Sequence, residues 1–309
     1  MSPTSSQRAI QIVEVGPRDG LQNEKAILEP AVRVELVQRL EAAGARRIEA
    51  VSFVHPKYVP QMAGAEEVMA ALPRSPGRSR IGLVLNGKGY DRALGTGVDE
   101  VNVSVSATDG FGLKNQGLSV VQQGEMLEAI LAGRRNAEGE PGATPSLSVT
   151  ISCVWGCPFD GEVSVDQVGD LVGRIGALGV SEIALADTIG VADPWAVTRK
   201  VGAARKAAPD ATLRLHFHDT RNTGLANAYA GIEAGIDVLD ASVGGIGGCP
   251  FAPGATGNVA TEDLVYMLER AGYSTGYDLD DLIRTARWIG EKIGRPAPSA
   301  LSRAGGWPK

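Results

Sequence analysis

One pattern recurs along the whole chain: a short apolar run rich in Val and Ile, then a stretch with helical spacing. The runs are Ile10–Val15, Arg47–Ser52, Ile81–Leu85, Glu100–Ser106, Leu147–Cys153, Glu182–Ala186, Leu213–His218 and Val238–Val243. Each is bounded by Gly, Pro, Asp or Asn and reads as a strand. Between them, Ala31–Ala43 gathers Val34, Leu36, Val37 and Leu40 on one side, and Gly44 stops it. Asp166–Leu178, Pro194–Ala207 and Ala226–Ala234 read likewise, the second with Asp193 as its N-cap. Eight such units close most economically into an α/β fold, the parallel (β/α)8 TIM barrel. An open doubly wound sheet usually has fewer strands and a Gly-rich phosphate turn after the first. Here that turn is Gly16-Pro17-Arg18-Asp19-Gly20, which is no dinucleotide fingerprint. Leu279–Gly290 predicts one more helix outside the barrel. Residues 1–309 thus read as one catalytic domain, with 274–309 a helical extension.

Composition removes several function classes. The net charge is −6 with both signs interspersed, and aromatic residues are 5%, so neither a basic stripe nor a base-stacking platform is present. A nucleic-acid partner is not expected. No run of apolar residues reaches membrane-spanning length, and Met1–Arg8 is polar, without the apolar core of a secretory signal. A cytoplasmic enzyme is expected. Three cysteines, Cys153, Cys157 and Cys249, make no disulfide framework. Cys153 and Cys157 have C-x3-C spacing and no second pair, which points to structural thiols.

Catalytic groups of a barrel sit where strands end. Those positions hold Arg18, Asp19, Glu49, Asp187, His216, His218, Cys249 and Asn258. His216 and His218 lie two apart on a strand, so both imidazoles project to one face. Two imidazoles and a nearby carboxylate suit a divalent cation. Asp19 is the natural carboxylate, although Pro17-Arg18-Asp19-Gly20 is also good turn chemistry. Arg18 has the fixed fork that suits an enolate, carboxylate or thioester oxygen. Glu49 lies in an apolar strand, where a carboxylate is costly unless paired, and Arg18 is its plausible partner. Asp187 is either a site residue or a helix cap. Asn258 precedes Thr261-Glu262-Asp263 and either caps that helix or offers its amide oxygen to a metal. Cys249 lies in a run, Gly244–Gly257, too rich in glycine for regular structure, and is a candidate acid, base or nucleophile. His55 has no identifiable partner and reads as a loop residue or minor substrate contact.

The segment Val13-Glu14-Val15-Gly16-Pro17-Arg18-Asp19-Gly20-Leu21-Gln22-Asn23-Glu24 resembles the opening motif of the hydroxymethylglutaryl-CoA lyase family. Phe53–Gly64, Gly156-Cys157-Pro158-Phe159, Asp187-Thr188-Ile189-Gly190-Val191 and Gly247–Leu264 are similar to that family too, so the resemblance spans about Ile10 to Tyr273. It implies a metal-dependent carbon–carbon lyase that splits 3-hydroxy-3-methylglutaryl-CoA into acetyl-CoA and acetoacetate. It further implies Asp19, His216, His218 and Asn258 as ligands of Mg²⁺ or Mn²⁺. Arg18 would hold the thioester oxygen and Cys249 would take part in proton transfer. Glu49, Asp187 and His216 would complete the catalytic network. Gln22 would line the site, Asn86 and Lys88 would meet the acyl-CoA, and the chain would form a homodimer.

Three stretches depart from the family's familiar members. Thr150 stands where they carry tyrosine, Arg221-Asn222-Thr223 replaces Tyr-Gly-Gln, and Ser106–Gly112 differs. These positions leave the acyl group open. Citramalyl-CoA or a branched 3-hydroxyacyl-CoA is the alternative substrate. An acetyl-CoA-dependent condensing transferase, which needs no Cys249, is the alternative enzyme, and a non-catalytic metal-binding barrel the non-enzymatic reading.

Overall fold

The computed structural model describes residues 8–137, 144–248 and 257–307. Its barrel strands are β1 (Gln11–Glu14), β2 (Arg47–Ser52), β3 (Ser79–Val84), β4 (Glu100–Ser106), β5 (Ser146–Ser152), β6 (Glu182–Asp187), β7 (Thr212–Phe217) and β8 (Val238–Ala241). They pair in parallel, in sequence order, and β8 closes back onto β1. The expected TIM barrel is the fold found. Helices α1 (Pro30–Ala42), α2 (Ala65–Ala71), α3 (Gly87–Leu94), α4 (Asp109–Asn115), α5 (Val120–Ala137), α6 (Val165–Ala177), α7 (Pro194–Ala207), α8 (Gly224–Glu233) and α9 (Thr261–Arg270) fill the connections. Asp193 does cap α7, accepting from Ala196 N at 2.9 Å. No helix among the described residues is long and apolar enough to cross a membrane.

Alternation sorts each strand between two environments. On β7, Leu213, Leu215 and Phe217 join the large apolar shell beneath the helices, while Arg214 and His216 face inward. Val13, Val15, Ile81 and Val238 form a separate small cluster inside the barrel. The rest of the interior departs from the branched apolar filling usual in this fold. Arg47 reaches across it to Glu100 (2.7 Å) and Glu182 (2.9 Å), and Arg214 meets Glu182 (3.1 Å) and Asp240 (3.3 Å). Buried charge of this kind is costly unless paired, and each of these groups is paired.

A carboxylate facing outward from β1 locks the ends of β1 and β8 together, and a second, on α9, holds the turn after β8. Glu14 accepts from Gly16 N (2.8 Å), Val243 N (3.0 Å) and Thr261 Oγ1 (2.7 Å), and both oxygens of Glu262 take Gly244 N (2.9 and 3.1 Å). Burial pushes the Glu14 carboxyl up from 4.5 to about 7, against the pull of those donors. A raised folded-state pKa means that the folded protein holds the proton more tightly than the unfolded chain. That stabilisation is complete below the ordinary carboxylate range and fades as pH rises through about 7. Glu14→Gln keeps both backbone donors on its oxygen and reverses the Thr261 bond, its NH2 donating to the hydroxyl, without the charge. The variant should therefore lose less stability than the parent between pH 6 and pH 8, a difference of roughly 1–2 kcal/mol in urea unfolding. Equal losses in parent and variant would refute the assignment.

The C-terminal part is larger than the single expected helix. Helix α10 (Leu279–Ile293) continues beyond Gly290 and a further helix, α11 (Ala300–Ala304), follows. These elements brace the barrel rim as well as covering its side. Ser299 N donates to Gly244 O (3.1 Å), the Asp263 carboxylate accepts from Ala300 N and Leu301 N (2.8 Å each), and Arg295 pairs with Glu24.

Candidate active site

The first loop is wound unusually tightly. Gly16–Gly20 forms one turn of π-helix closed by Gly20 N to Val15 O at 3.1 Å, a device common where side chains must be re-aimed. A side chain at either glycine would force its neighbours to shift: a Cβ on Gly16 would lie 2.7 Å from Glu14 Oε1, and one on Gly20 2.7 Å from Ile246 and Ser242. The turn places Arg18 and Asp19 over the mouth. Arg18 engages Glu49 with two nitrogens, Nε at 2.6 Å and Nη2 at 2.5 Å, and gives Nη1 to Asp19 Oδ1 at 2.6 Å. The expected Arg18–Glu49 pair is therefore present, and Glu49 is further held by Asn102 Nδ2 at 3.0 Å.

Asp19 Oδ2 lies 3.6 Å from His218 Nε2, 3.9 Å from His216 Nε2 and 2.8 Å from Asn258 Nδ2. Asn258 reaches this point because its segment turns back along the end of β7. His218 and Asn258 form a β-bridge, and Val259 N donates to Phe217 O at 3.1 Å. The asparagine does not cap α9, whose N-cap is Ala260. His216 Nδ1 meets Asp240 Oδ2 at 3.1 Å. Burial works against charge on Asp19, yet the Arg18 guanidinium and the two imidazoles hold its carboxyl well below the usual range. Burial likewise opposes charge on His216, but the hydrogen bond to Asp240 and the Asp19 carboxylate raise its pKa above the ordinary value.

These groups fit a divalent cation. Donor atoms of Asp19, His216 and His218 lie within 4.8 Å of one another. Asn258 Oδ1 and His218 Nδ1 are buried without a hydrogen-bond partner. The charges agree: in the connected interior network Arg18, Arg47 and Arg214 face Asp19, Glu49, Glu100, Glu182 and Asp240. With neutral imidazoles, two negative charges remain for a dication to balance.

A cavity of about 1300 Å³ opens from this cluster. Gln22, Asn86, Lys88 and Thr150 line it, and so do His55 and Lys114. Asn86 also caps α3, accepting from Gly89 N at 2.9 Å. Asp187 stands apart. It is fully buried, and its two oxygens accept from Val191 N (2.9 Å) and Ala192 N (3.0 Å). Burial raises its pKa despite those donors, but its geometry is that of a residue holding a turn. Arg221 bridges to Ile189 O and Gly190 O, away from the cavity lining. Cys153 and Cys157 are buried against Phe111, in keeping with a structural part. Cys249 lies outside the described residues. Its neighbour Gly248 accepts from Asn23 Nδ2 at 2.7 Å.

Sequence reading missed Asp240 and Asn102. Both carried a usable signal, a polar residue inside an apolar strand, the same signal that singled out Glu49.

The sequence profile of the HMGL-like family matches residues 9–289. The chain is 40% identical over 297 residues to the mitochondrial hydroxymethylglutaryl-CoA lyase of Macaca fascicularis, covering 96% of this chain and 90% of that one. It is 42% identical over 307 residues to (R)-citramalyl-CoA lyase of Chloroflexus aurantiacus, covering 96% and 95%. A solved structure of a hydroxymethylglutaryl-CoA lyase from Acinetobacter baumannii, in complex with coenzyme A and 3-methylmalate, superposes with a TM-score of 0.91. It is 38% identical and covers 98% of this chain and 97% of that one.

Proposed function

The chain belongs to the HMGL-like family, and on that premise we propose that it is a metal-dependent carbon–carbon lyase cleaving 3-hydroxy-3-methylglutaryl-CoA to acetyl-CoA and acetoacetate. The observation that carries this reading is the convergence of Arg18, Asp19, His216, His218 and Asn258 at one end of a cavity of about 1300 Å³. In the reaction the tertiary hydroxyl gives its proton to a base at the cavity mouth and the bond between C2 and C3 breaks. The electron pair moves onto the thioester as an enolate, the Cys249 thiol gives a proton to C2, and the proton taken from the hydroxyl restores the thiol.

Asp19, His216, His218 and Asn258 would hold Mg²⁺ or Mn²⁺. A bound divalent cation would supply Lewis acidity, lowering the pKa of the hydroxyl and orienting the bond to be broken. Arg18 meets the oxygen on which enolate charge develops, and the interaction strengthens as the bond breaks. Glu49 keeps the Arg18 fork aligned, since two of its nitrogens are fixed on one buried carboxylate. Asp187 acts by support, fixing the turn that carries Thr188, a cavity-lining residue. Cys249 donates the proton to the enolate carbon, an assignment that rests on the sequence motif around it. Gln22, Asn86 and Lys88 line the path by which the acyl-CoA enters.

A second acyl group is supported by the lining of the inner cavity. Asn102, Ser104, Thr150 and Ser152 make it polar, which suits an acyl group one methylene shorter, with its carboxylate carried directly on C3. Citramalyl-CoA is the specific alternative. The deciding measurement is acetyl-CoA release from each thioester with Mg²⁺, before and after chelation by EDTA. Chelator-sensitive release from hydroxymethylglutaryl-CoA is expected, with turnover falling at least ~100-fold on chelation, as loss of several kcal/mol of charge stabilisation implies. Release from citramalyl-CoA alone would move the substrate and keep the reaction. Release that ignores the chelator would overturn the metal requirement.

A further inference from the structure

Two polar paths leave the candidate site in opposite directions and meet at one side chain. The first starts from Arg18 and its partner Glu49. Glu49 Oε1 accepts from Asn102 Nδ2 at 3.0 Å, and Asn102 Oδ1 accepts from Thr150 Oγ1 at 3.0 Å. Thr150 Oγ1 in turn accepts from Arg214 Nη2 at 3.4 Å. The second starts from His216, whose Nδ1 meets Asp240 Oδ2 at 3.1 Å, and Asp240 Oδ1 faces Arg214 Nε at 3.3 Å. Arg214 is 1% exposed on the barrel floor, with its remaining nitrogen 3.1 Å from Glu182.

The chemistry of the two ends fixes the direction of the hydrogen bonds along these paths, the Arg214–Asp240 step being an ion pair at 3.3 Å. A guanidinium only donates. Thr150 must therefore accept from Arg214 and spend its single proton on Asn102 Oδ1. The Asn102 amide is then held with its NH2 toward Glu49, although carbonyl and amine are otherwise interchangeable in shape. Glu49, satisfied from below, presents its other oxygen to Arg18. On the second path Asp240 is an acceptor, so His216 carries its proton on Nδ1. That leaves the Nε2 lone pair facing Asp19 and the cation site, the arrangement that orients a ligating imidazole.

We propose that Arg214 is a positioning residue that orients both halves of the site at once, the Arg18 fork through Thr150, Asn102 and Glu49, and the His216 ring through Asp240. The proposal rests on the lyase reading above for its kinetic part only, because the His216 arm is also legible in Mn²⁺ binding, which needs no substrate.

The test combines Arg214→Lys, Thr150→Val and Asp240→Asn in the full chain, with circular dichroism and thermal melting to establish folding. Lysine keeps the floor charge, but one ammonium cannot serve both arms. Arg214→Lys is expected to lower both kcat and Mn²⁺ affinity, measured by calorimetry, by about 10- to 100-fold, the usual loss for a group that orients a ligand, with KM little changed. Thr150→Val should lower kcat by about tenfold in the parent but by less than about twofold in the Arg214→Lys background, because the arm it cuts is already idle. Two results overturn the proposal. One is a folded Arg214→Lys protein with parental kcat and Mn²⁺ affinity. The other is a Thr150→Val penalty of equal size in both backgrounds. If Arg214→Lys does not fold, the Thr150→Val, Asp240→Asn pair replaces it. A combined loss smaller than the product of the two supports a shared anchor, and a simple product rejects it. If neither hydroxymethylglutaryl-CoA nor citramalyl-CoA is turned over, the lyase reading fails while the Mn²⁺ titration of Arg214→Lys and Asp240→Asn still decides the second arm.

Discussion

Asp19→Asn is expected to abolish nearly all turnover, a fall on the order of 10³ or more in kcat, in a protein that still folds. The side chain is the sole carboxylate of the ligand group formed with His216 and His218. It is also the acceptor for Arg18 Nη1 and Asn258 Nδ2. Asparagine has nearly the same shape, so packing around the π-turn is preserved. What it removes is charge. The interior network then carries three arginines against four carboxylates, so one negative charge remains where two had matched a dication. Isothermal titration should show Mn²⁺ affinity falling together with kcat. Some stability is lost as well, because Arg18 and the imidazoles favour the ionised form of Asp19, but that loss should be far smaller than the kinetic one. Full kcat in a folded Asp19→Asn protein would remove Asp19 from the machinery.

Arg18→Lys is the second large effect, and its size comes from geometry with the charge kept. The guanidinium divides three nitrogens between two carboxylates, Nε and Nη2 on Glu49 and Nη1 on Asp19, and from that fixed plane it faces the cavity. A lysine ammonium is a point donor on a flexible stem and cannot hold both carboxylates while facing a developing enolate. Loss of one such preorganised donor typically costs about 10²–10³ in kcat. The predicted signature is a drop of that size in kcat with KM changed much less, since the contact strengthens chiefly in the transition state. Arg18→Met would be a poorer probe. It leaves Glu49, 2% exposed, as an uncompensated buried charge, at about 3–5 kcal/mol of stability. A raised KM at constant kcat in Arg18→Lys would reassign Arg18 to ground-state binding.

The two variants bear on different parts of the same geometry, and their comparison with the Arg214 series separates ligation from orientation. Ligand loss should depress Mn²⁺ affinity most, the fork should depress kcat without it, and the floor residue should touch both to a smaller degree.

Much of this was legible in the residues themselves. Period-two alternation with β-branched residues gives strands, and repetition of strand and helix eight times leaves a closed barrel as the economical solution, which is the closed order observed. The same alternation put His216 and His218 on one face, and the cost of burying a lone carboxylate in Ile48–Val51 called for the Arg18–Glu49 pair. Those inferences succeeded because they depend on neighbours in sequence or on a penalty that every burial carries.

Other features depended on which strands become neighbours across the barrel, and no local pattern contains that information. The π-turn at Gly16–Gly20 is set by closure of β1 against β8, with Glu14 bonded to both ends. Asn258 had two readings, and the return of its segment along β7 chose the site over the helix cap. Asp187 also had two readings, site residue or helix cap; Asp193 caps α7, and the Asp187 carboxylate accepts from two amides of the turn before it. The charged floor joins residues from five strands, β2, β4, β6, β7 and β8, through Arg47, Glu100, Glu182, Arg214 and Asp240. The sequence by itself thus determined the fold and most of the reactive groups at the rim, because periodicity and burial cost act locally. Tertiary structure alone decided how those groups are oriented, because hydrogen-bond direction is passed between side chains that only barrel closure brings together.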